Sequence, residues 1–140
     1  MKKLLLVFSV FVLVFTSCGN NDDDTPTLDQ FIGTWKYFKH FENGVEETLD
    51  LCETEFTLQV LEDGTFIETY YMEGPNNTCV VDETFTTTWT NEGGGNYSFD
   101  FDGDVEIIPI TFENNTFYIQ ETYNDNTDDI TTRDVFIRVN

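Results

Sequence analysis

From residue 27 onward, apolar and polar side chains alternate with a period of two. Phe56, Leu58 and Val60 are spaced by Thr57 and Gln59, Phe85 and Trp89 by threonines, and Tyr97, Phe99 and Phe101 by Ser98 and Asp100. A period of two puts every second side chain on one face of a strand, and aromatic and β-branched residues suit that pleated surface. Turn signals separate the runs: Asp63-Gly64, Gly74-Pro75-Asn76-Asn77, Gly93-Gly94-Gly95-Asn96, Asp102-Gly103, Asn114-Asn115 and Asn124-Asp125-Asn126. They suit the positive φ of tight hairpins. The pattern predicts eight strands, at about 33–41, 53–61, 65–73, 84–90, 96–101, 104–112, 116–123 and 130–139. Eight antiparallel strands with short connections close into an up-and-down barrel, which removes the exposed edges. A β-sandwich has the same alternation and is the competing architecture. The one helical signal is Thr27 with Gln30 three residues later, a capping box that opens a short helical turn over 27–32.

The N-terminal end follows a different pattern. Lys2 and Lys3 precede an apolar run, Leu4 to Phe15, broken only by Ser9, and small residues follow at Thr16-Ser17. The run is well short of the ~20 residues a spanning helix needs and reads as a secretory signal over 1–17. It stops at Cys18, after which Gly19-Asn20-Asn21-Asp22-Asp23-Asp24-Thr25-Pro26 reads as a short acidic tether over 18–26. The barrel domain then occupies 27–140.

Composition sharpens the picture. Removing residues 1–17 takes away Lys2 and Lys3 and moves the formal charge from −21 to −23, with all 27 acidic side chains kept. Such a surface repels nucleic acid and anionic membrane and favours cations and basic partners. With 14 Phe, 6 Tyr and 2 Trp the chain is too aromatic to be disordered, so the acid coats a folded core.

Phe15-Thr16-Ser17-Cys18 resembles the lipobox of bacterial lipoproteins. The resemblance implies a diacylglycerol on the Cys18 sulfur, cleavage before that residue and acyl chains of the palmitate kind as the membrane anchor. The alternative is an ordinary signal peptide with an incidental cysteine. The acidic run after Cys18 resembles the lipoprotein export signals of some Gram-negative lineages, which would place the domain on the outer membrane, facing the periplasm or the surface. Gly33-Thr34-Trp35 at the start of the first strand resembles the lipocalin signature. With the lipobox, the mid-chain cysteines and the turn Asp63-Gly64-Thr65-Phe66, the chain looks like the lipocalin-like bacterial lipoproteins. That resemblance implies that Trp35 plugs the closed end of the barrel, with Arg138 of the last strand lying over its ring.

Of three cysteines, lipidation of Cys18 leaves Cys52 and Cys79, an even pair in an oxidising compartment. Strand order brings both to the open rim, which predicts a disulfide between them. A metal site is not expected, since His40 is the only histidine. No cofactor motif is present, and one histidine with the cysteines accounted for offers no nucleophile and base, so an enzyme is not expected. Asp100 to Glu106 has the look of a calcium loop but lies between strands, where it reads as a hairpin turn.

The lipocalin resemblance implies binding at the barrel mouth. Phe56, Phe66, Tyr70, Phe85 and Trp89 fall on the inward face and either line a pocket or fill the barrel. Counting alternate residues also puts Lys39, Glu121 and Arg133 inside, in a solvated upper chamber where Arg133 bonds Glu121, either as a structural ion pair near the rim or with the two cations receiving an acidic head group. The expected function is a membrane-anchored lipocalin-like protein holding a small apolar or amphipathic ligand, with no nucleic-acid partner. The rival is an accessory lipoprotein with a filled barrel whose acidic rim loops contact a protein partner or cations.

Overall fold

The computed structural model describes residues 27–139. The expected signal sequence, Cys18 and the tether lie outside them. One antiparallel sheet carries nine strands: β1 Gly33–Glu42, β2 Val45–Glu47, β3 Thr57–Val60, β4 Thr65–Glu73, β5 Cys79–Gly93, β6 Asn96–Phe101, β7 Asp104–Glu113, β8 Thr116–Asn124 and β9 Asp129–Val139. From β3 to β9 each strand pairs with the next, and β1 pairs with both β3 and β9. The sheet therefore closes into an eight-stranded up-and-down barrel, with β2 as a short addition. Tight turns make this possible: Asn43-Gly44 and Asp102-Gly103 hold positive φ at both residues, the geometry that matches the twist of paired strands.

Three expectations about local structure change, the first being that β5, Cys79–Gly93, is much longer than the predicted strand over 84–90. The segment 53–55 forms a short 3-10 turn, so β3 is shorter than the predicted strand over 53–61. Its polar side chains bond local backbone: Thr54 Oγ1 donates to Leu51 O at 2.6 Å, and Asp50 N donates to Glu53 Oε2 at 2.6 Å. Such bonds compete with a sheet ladder. At the N-terminus Asp29, rather than Thr27, organises a single turn, its Oδ1 accepting from Phe31 N at 2.8 Å and its carbonyl from Ile32 N at 3.1 Å. No regular helix develops over 27–32.

The closed end is a knot of aromatic and charged contacts. Phe31 is 1% exposed and drops into the barrel floor against Phe66, Trp89, Tyr97, Phe99 and Phe117. Trp35 Nε1 donates to Phe31 O at 2.8 Å. Arg138 lies over the Trp35 ring, its guanidinium carbon 4.1 Å from the centroid, and donates to Ile32 O at 2.7 Å and to Gln30 O. Asp29 accepts a further bond from Tyr97 OH at 3.0 Å. Arg138 leaves no room at Gly33, where a Cβ would run into its Nη1, and φ there is +146°.

This contact generates a prediction. Gly33→Ala must strain its backbone and displace Arg138, and we expect about 3 kcal/mol lost in urea unfolding. Gly44→Ala meets only the backbone strain, because nothing lies within 4 Å of its Cβ, and should cost about 1 kcal/mol. Equal losses would show that the Arg138 contact contributes nothing.

Candidate functional site

The site grows out of a partner exchange along β1. Its lower part, Gly33–Lys36, pairs with β3, and its upper part, His40–Glu42, pairs with β2. Between them Tyr37 faces an opening at the barrel mouth. The cavity there measures about 290 Å³ and is walled by Tyr37, Phe56, Tyr70, Tyr71 and Phe136, with Glu53, Asp134 and Cys52 at its edge. Beneath it a smaller cavity of about 80 Å³ shares the Phe56 and Phe136 walls and is lined by Leu58, Phe66, Glu68 and Ile119 among others. Below that the interior is solid: Trp35, Val60 and Phe117 are fully buried. The barrel is thus packed at its closed end and hollow near its mouth.

A disulfide holds one wall. Cys52 and Cys79 are bonded, with Cα atoms 5.4 Å apart, as the cysteine count led us to expect. The bridge ties the 3-10 turn to the start of β5 and fixes Glu53 and Phe56 beside the cavity. In the chain-entropy picture, closing a loop with a sequence separation of 27 stabilises the fold by about 3.5 kcal/mol.

Aromatic rings pack around the opening, Tyr37 edge to face on Phe56 and the other pairs tilted. Phe56 and Tyr70 centroids are 4.7 Å apart, Tyr37 and Phe136 5.3 Å, and Tyr37 and Phe56 6.3 Å. Asp134 stands between Tyr37 and His40: its Oδ1 lies 2.6 Å from the Tyr37 hydroxyl, which donates to it, and 2.7 Å from His40 Nδ1. Both contacts fall on one carboxylate oxygen, which leaves the other for the cavity. Burial, then the bond to Asp134, pushes the Tyr37 hydroxyl well above its ordinary range, so it remains a donor. Tyr70 donates to Glu68 Oε2 at 3.1 Å. Burial and the neighbouring Glu68 push its hydroxyl up to about 12. Glu68 is itself raised above the usual carboxylate range by desolvation, partly opposed by the Tyr70 bond.

The expected charged chamber does not form. Lys39 lies on the outer surface, bonded to Glu46 at 2.9 Å and flanked by the Phe38 and Phe41 rings. A β-bulge between Tyr37 and Lys39 inserts Phe38 as an extra residue, so His40 takes the inward place that strict alternation assigns to Lys39. Arg133 is outside as well, 3.8 Å over the Tyr118 ring and 3.4 Å from Glu113. On β9 the inward residues are Asp134, Phe136 and Arg138. Glu121 follows Ile119 by two on β8 and keeps the inward register opposite Thr132, but it is exposed and has no bond to Arg133. The chamber is acidic where a basic one was expected.

The other pocket residues divide by depth. Phe56 and Tyr70 line the mouth cavity and Phe66 the smaller one. Phe85 stacks on Phe101 at 5.8 Å, opposite Glu68. Trp89 belongs to the packed floor, where its Nε1 donates to Leu61 O at 3.0 Å. Tyr37, Glu53, Tyr71, Asp134 and Phe136 are the site residues that sequence reasoning missed. For Phe136 and Asp134 the signal was present in the placement of Arg138 over Trp35, because residues two and four positions before it on the same strand must share its face, and for Tyr37 in its place two residues after Trp35.

The acidic turns have local work. Asp125 Oδ1 accepts from Thr127 N and Asp128 N, both at 3.0 Å, which holds its carboxyl below the usual range. Asp100 Oδ1 accepts from Gly103 N at 2.6 Å. Among the described residues no group of three or more His, Cys, Asp or Glu side chains converges as a metal site would.

Glu68 carries a pH prediction. Its folded pKa is raised, so burial favours the protonated form, and the penalty on the ionised form grows as pH rises through that value. Glu68→Gln should therefore raise the thermal midpoint by a few degrees near about pH 7, and the gain should vanish near about pH 4, where wild type is also neutral. A gain of the same size at both pH values would point to packing instead.

No protein-family model matches the chain, and no curated protein matches it; its own geometry carries the functional reading.

Proposed function

We propose that the protein is a lipid-anchored, lipocalin-like lipoprotein of the outer membrane whose barrel binds a small amphipathic ligand at its open mouth. The observation that carries the reading is the cavity of about 290 Å³ walled by Tyr37, Phe56, Tyr70, Tyr71 and Phe136. A concave, mostly aromatic pocket with a few polar groups is the usual form of a small-molecule site. The plug at the other end, with Phe31 and Trp35 under Arg138, leaves the mouth as the entry route. The lipobox-like stretch ending at Cys18 supports the anchor, and the acidic tether supports display away from the lipid. Volume limits the ligand: at the ~30 Å³ share of a water-sized group, the mouth cavity takes on the order of ten non-hydrogen atoms. A palmitate chain is too long to be enclosed.

A neutral, polarity-sensitive fluorophore small enough for that volume, 1-naphthylamine, tests the reading. We expect saturable fluorescence enhancement with the wild-type domain, weakened roughly tenfold in Tyr70→Ala through loss of one ring contact. A linear, non-saturating response, or an unchanged Tyr70→Ala curve, would refute binding at the mouth. The anchor has a separate test: Cys18→Ala should move the protein from the membrane fraction to the soluble fraction or leave an uncleaved precursor. Unchanged fractionation together with unchanged mature mass would remove lipidation.

A further inference from the structure

The walls of the mouth carry an unusual combination of groups. Five aromatic rings, Tyr37, Phe56, Tyr70, Tyr71 and Phe136, meet around one opening. Asp134 and Glu53 stand at its edge, and Glu68 lies under Tyr70. Sheet register adds more acid around the same mouth: Glu83 sits opposite Tyr70, Glu106 opposite the inward Phe99, and Glu121 two residues above Ile119. Against these stands a single basic ring, His40, already directed at Asp134. None of the four Lys and Arg side chains of the described chain lines the cavity. Lys36 pairs with Glu55, Lys39 with Glu46 and Arg133 with Glu113, while Arg138 is at the closed end.

Ring faces carry negative potential, and carboxylates carry formal negative charge. Both favour the same ligand charge, and the partly enclosed, aromatic setting strengthens that preference relative to bulk water. An anionic head group would meet repulsion from every wall. We propose that the mouth cavity is a site for a small organic cation, a quaternary or primary ammonium on a short apolar body. It rests on the reading that the barrel binds at its mouth and adds the charge and size of what it binds. The nitrogen sits among the faces of Tyr37, Phe56 and Tyr70, with the free oxygen of Asp134 and the Glu53 carboxylate as counter-charges. The lower cavity, at about 80 Å³, admits only two or three further carbon atoms at ~30 Å³ each, so the ligand is short.

Calorimetric titration with three probes of similar bulk tests this: benzyltrimethylammonium, its neutral isostere neopentylbenzene, and the anion phenylacetate. The cation should bind at least about tenfold more tightly than the neutral probe, and the anion should not bind measurably. Glu53→Gln, on the exposed 3-10 turn, and Asp134→Asn should each weaken the cation about three- to tenfold and leave the neutral probe unchanged. Asp134→Asn also alters the Tyr37 and His40 contacts, so its near-ultraviolet dichroism must match wild type before its affinity is used; Glu53→Gln keeps a side-chain oxygen to accept from Asp50 N and stands without that condition. Glu62→Gln, which removes the same charge at the closed end, separates a site from general attraction to an acidic protein. If Glu62→Gln weakens the cation as much as Glu53→Gln does, the proposal is overturned. Equal affinity for cation and neutral isostere would overturn it too, while leaving binding at the mouth intact. Failure of all three probes would count against the mouth as a binding site altogether.

Discussion

The stack of Arg138 on Trp35 organises the molecule. It joins the first and last strands across the seam where the barrel closes, and its hydrogen bonds to Gln30 O and Ile32 O bring the N-terminal turn under the floor. That turn delivers Phe31, around which the aromatic core assembles. The stack also sets which residues face inward on two strands. With Arg138 inside, Phe136 and Asp134 must be inside, because alternate residues share a face. Gly33 is tied to the same contact, since any side chain there would occupy the guanidinium's place. One cation over one ring thus specifies closure, the inward face of β9 and the chemistry of the mouth more than ten ångströms away along the strand.

Much of the architecture was legible because the alternation is strong. Strands 65–73, 96–101, 104–112 and 116–123 coincide closely with β4, β6, β7 and β8. The cysteines were readable for a different reason: an even pair placed at one rim by hairpin order. The upper chamber was not, and the cause is local. Arg133 and Arg138 are five residues apart, so they face opposite sides of an unbroken strand, and placing both inside was inconsistent. Val135 and Phe136 are both 7% exposed, which blurs the alternation at the point where it was needed. For Lys39 the cause is the extra residue Phe38, a bulge that period-two counting does not detect. Phe38 is 44% exposed, which is unusual for a Phe in a barrel strand and marks the place where the pattern slips.

Charge is distributed as unevenly as packing. All four Lys and Arg side chains of the described chain lie on β1 and β9, the two strands that meet at the seam, and none lies on β2 to β8. All four point outward or to the floor and pair with acids or backbone there. The basic residues therefore stabilise the seam and are unavailable to the mouth. Since they are confined to one side, the inward acids of β4 to β8 face no cation across the barrel. The acidity of the mouth follows from where the seam is, not from a separate acidic motif.

A desolvated acid in an otherwise apolar cavity is a standing cost to stability. Glu68 sits between Tyr70 and the lower cavity, and nothing in packing requires a carboxyl there, since a Gln or Leu of similar length would fill the same space. Its only side-chain bond among the described residues is to Tyr70, one of the ring walls of the mouth. The two residues are coupled: Tyr70 supplies the hydrogen bond that keeps Glu68 tolerable, and Glu68 holds the Tyr70 ring against Phe56. A half-exposed ring held in a fixed orientation has lost rotamer freedom before any ligand arrives, which lowers the entropy a ligand must overcome. The destabilising acid and the preorganised ring are thus two sides of one arrangement, and its place at the cavity wall is where such local strain most often serves binding.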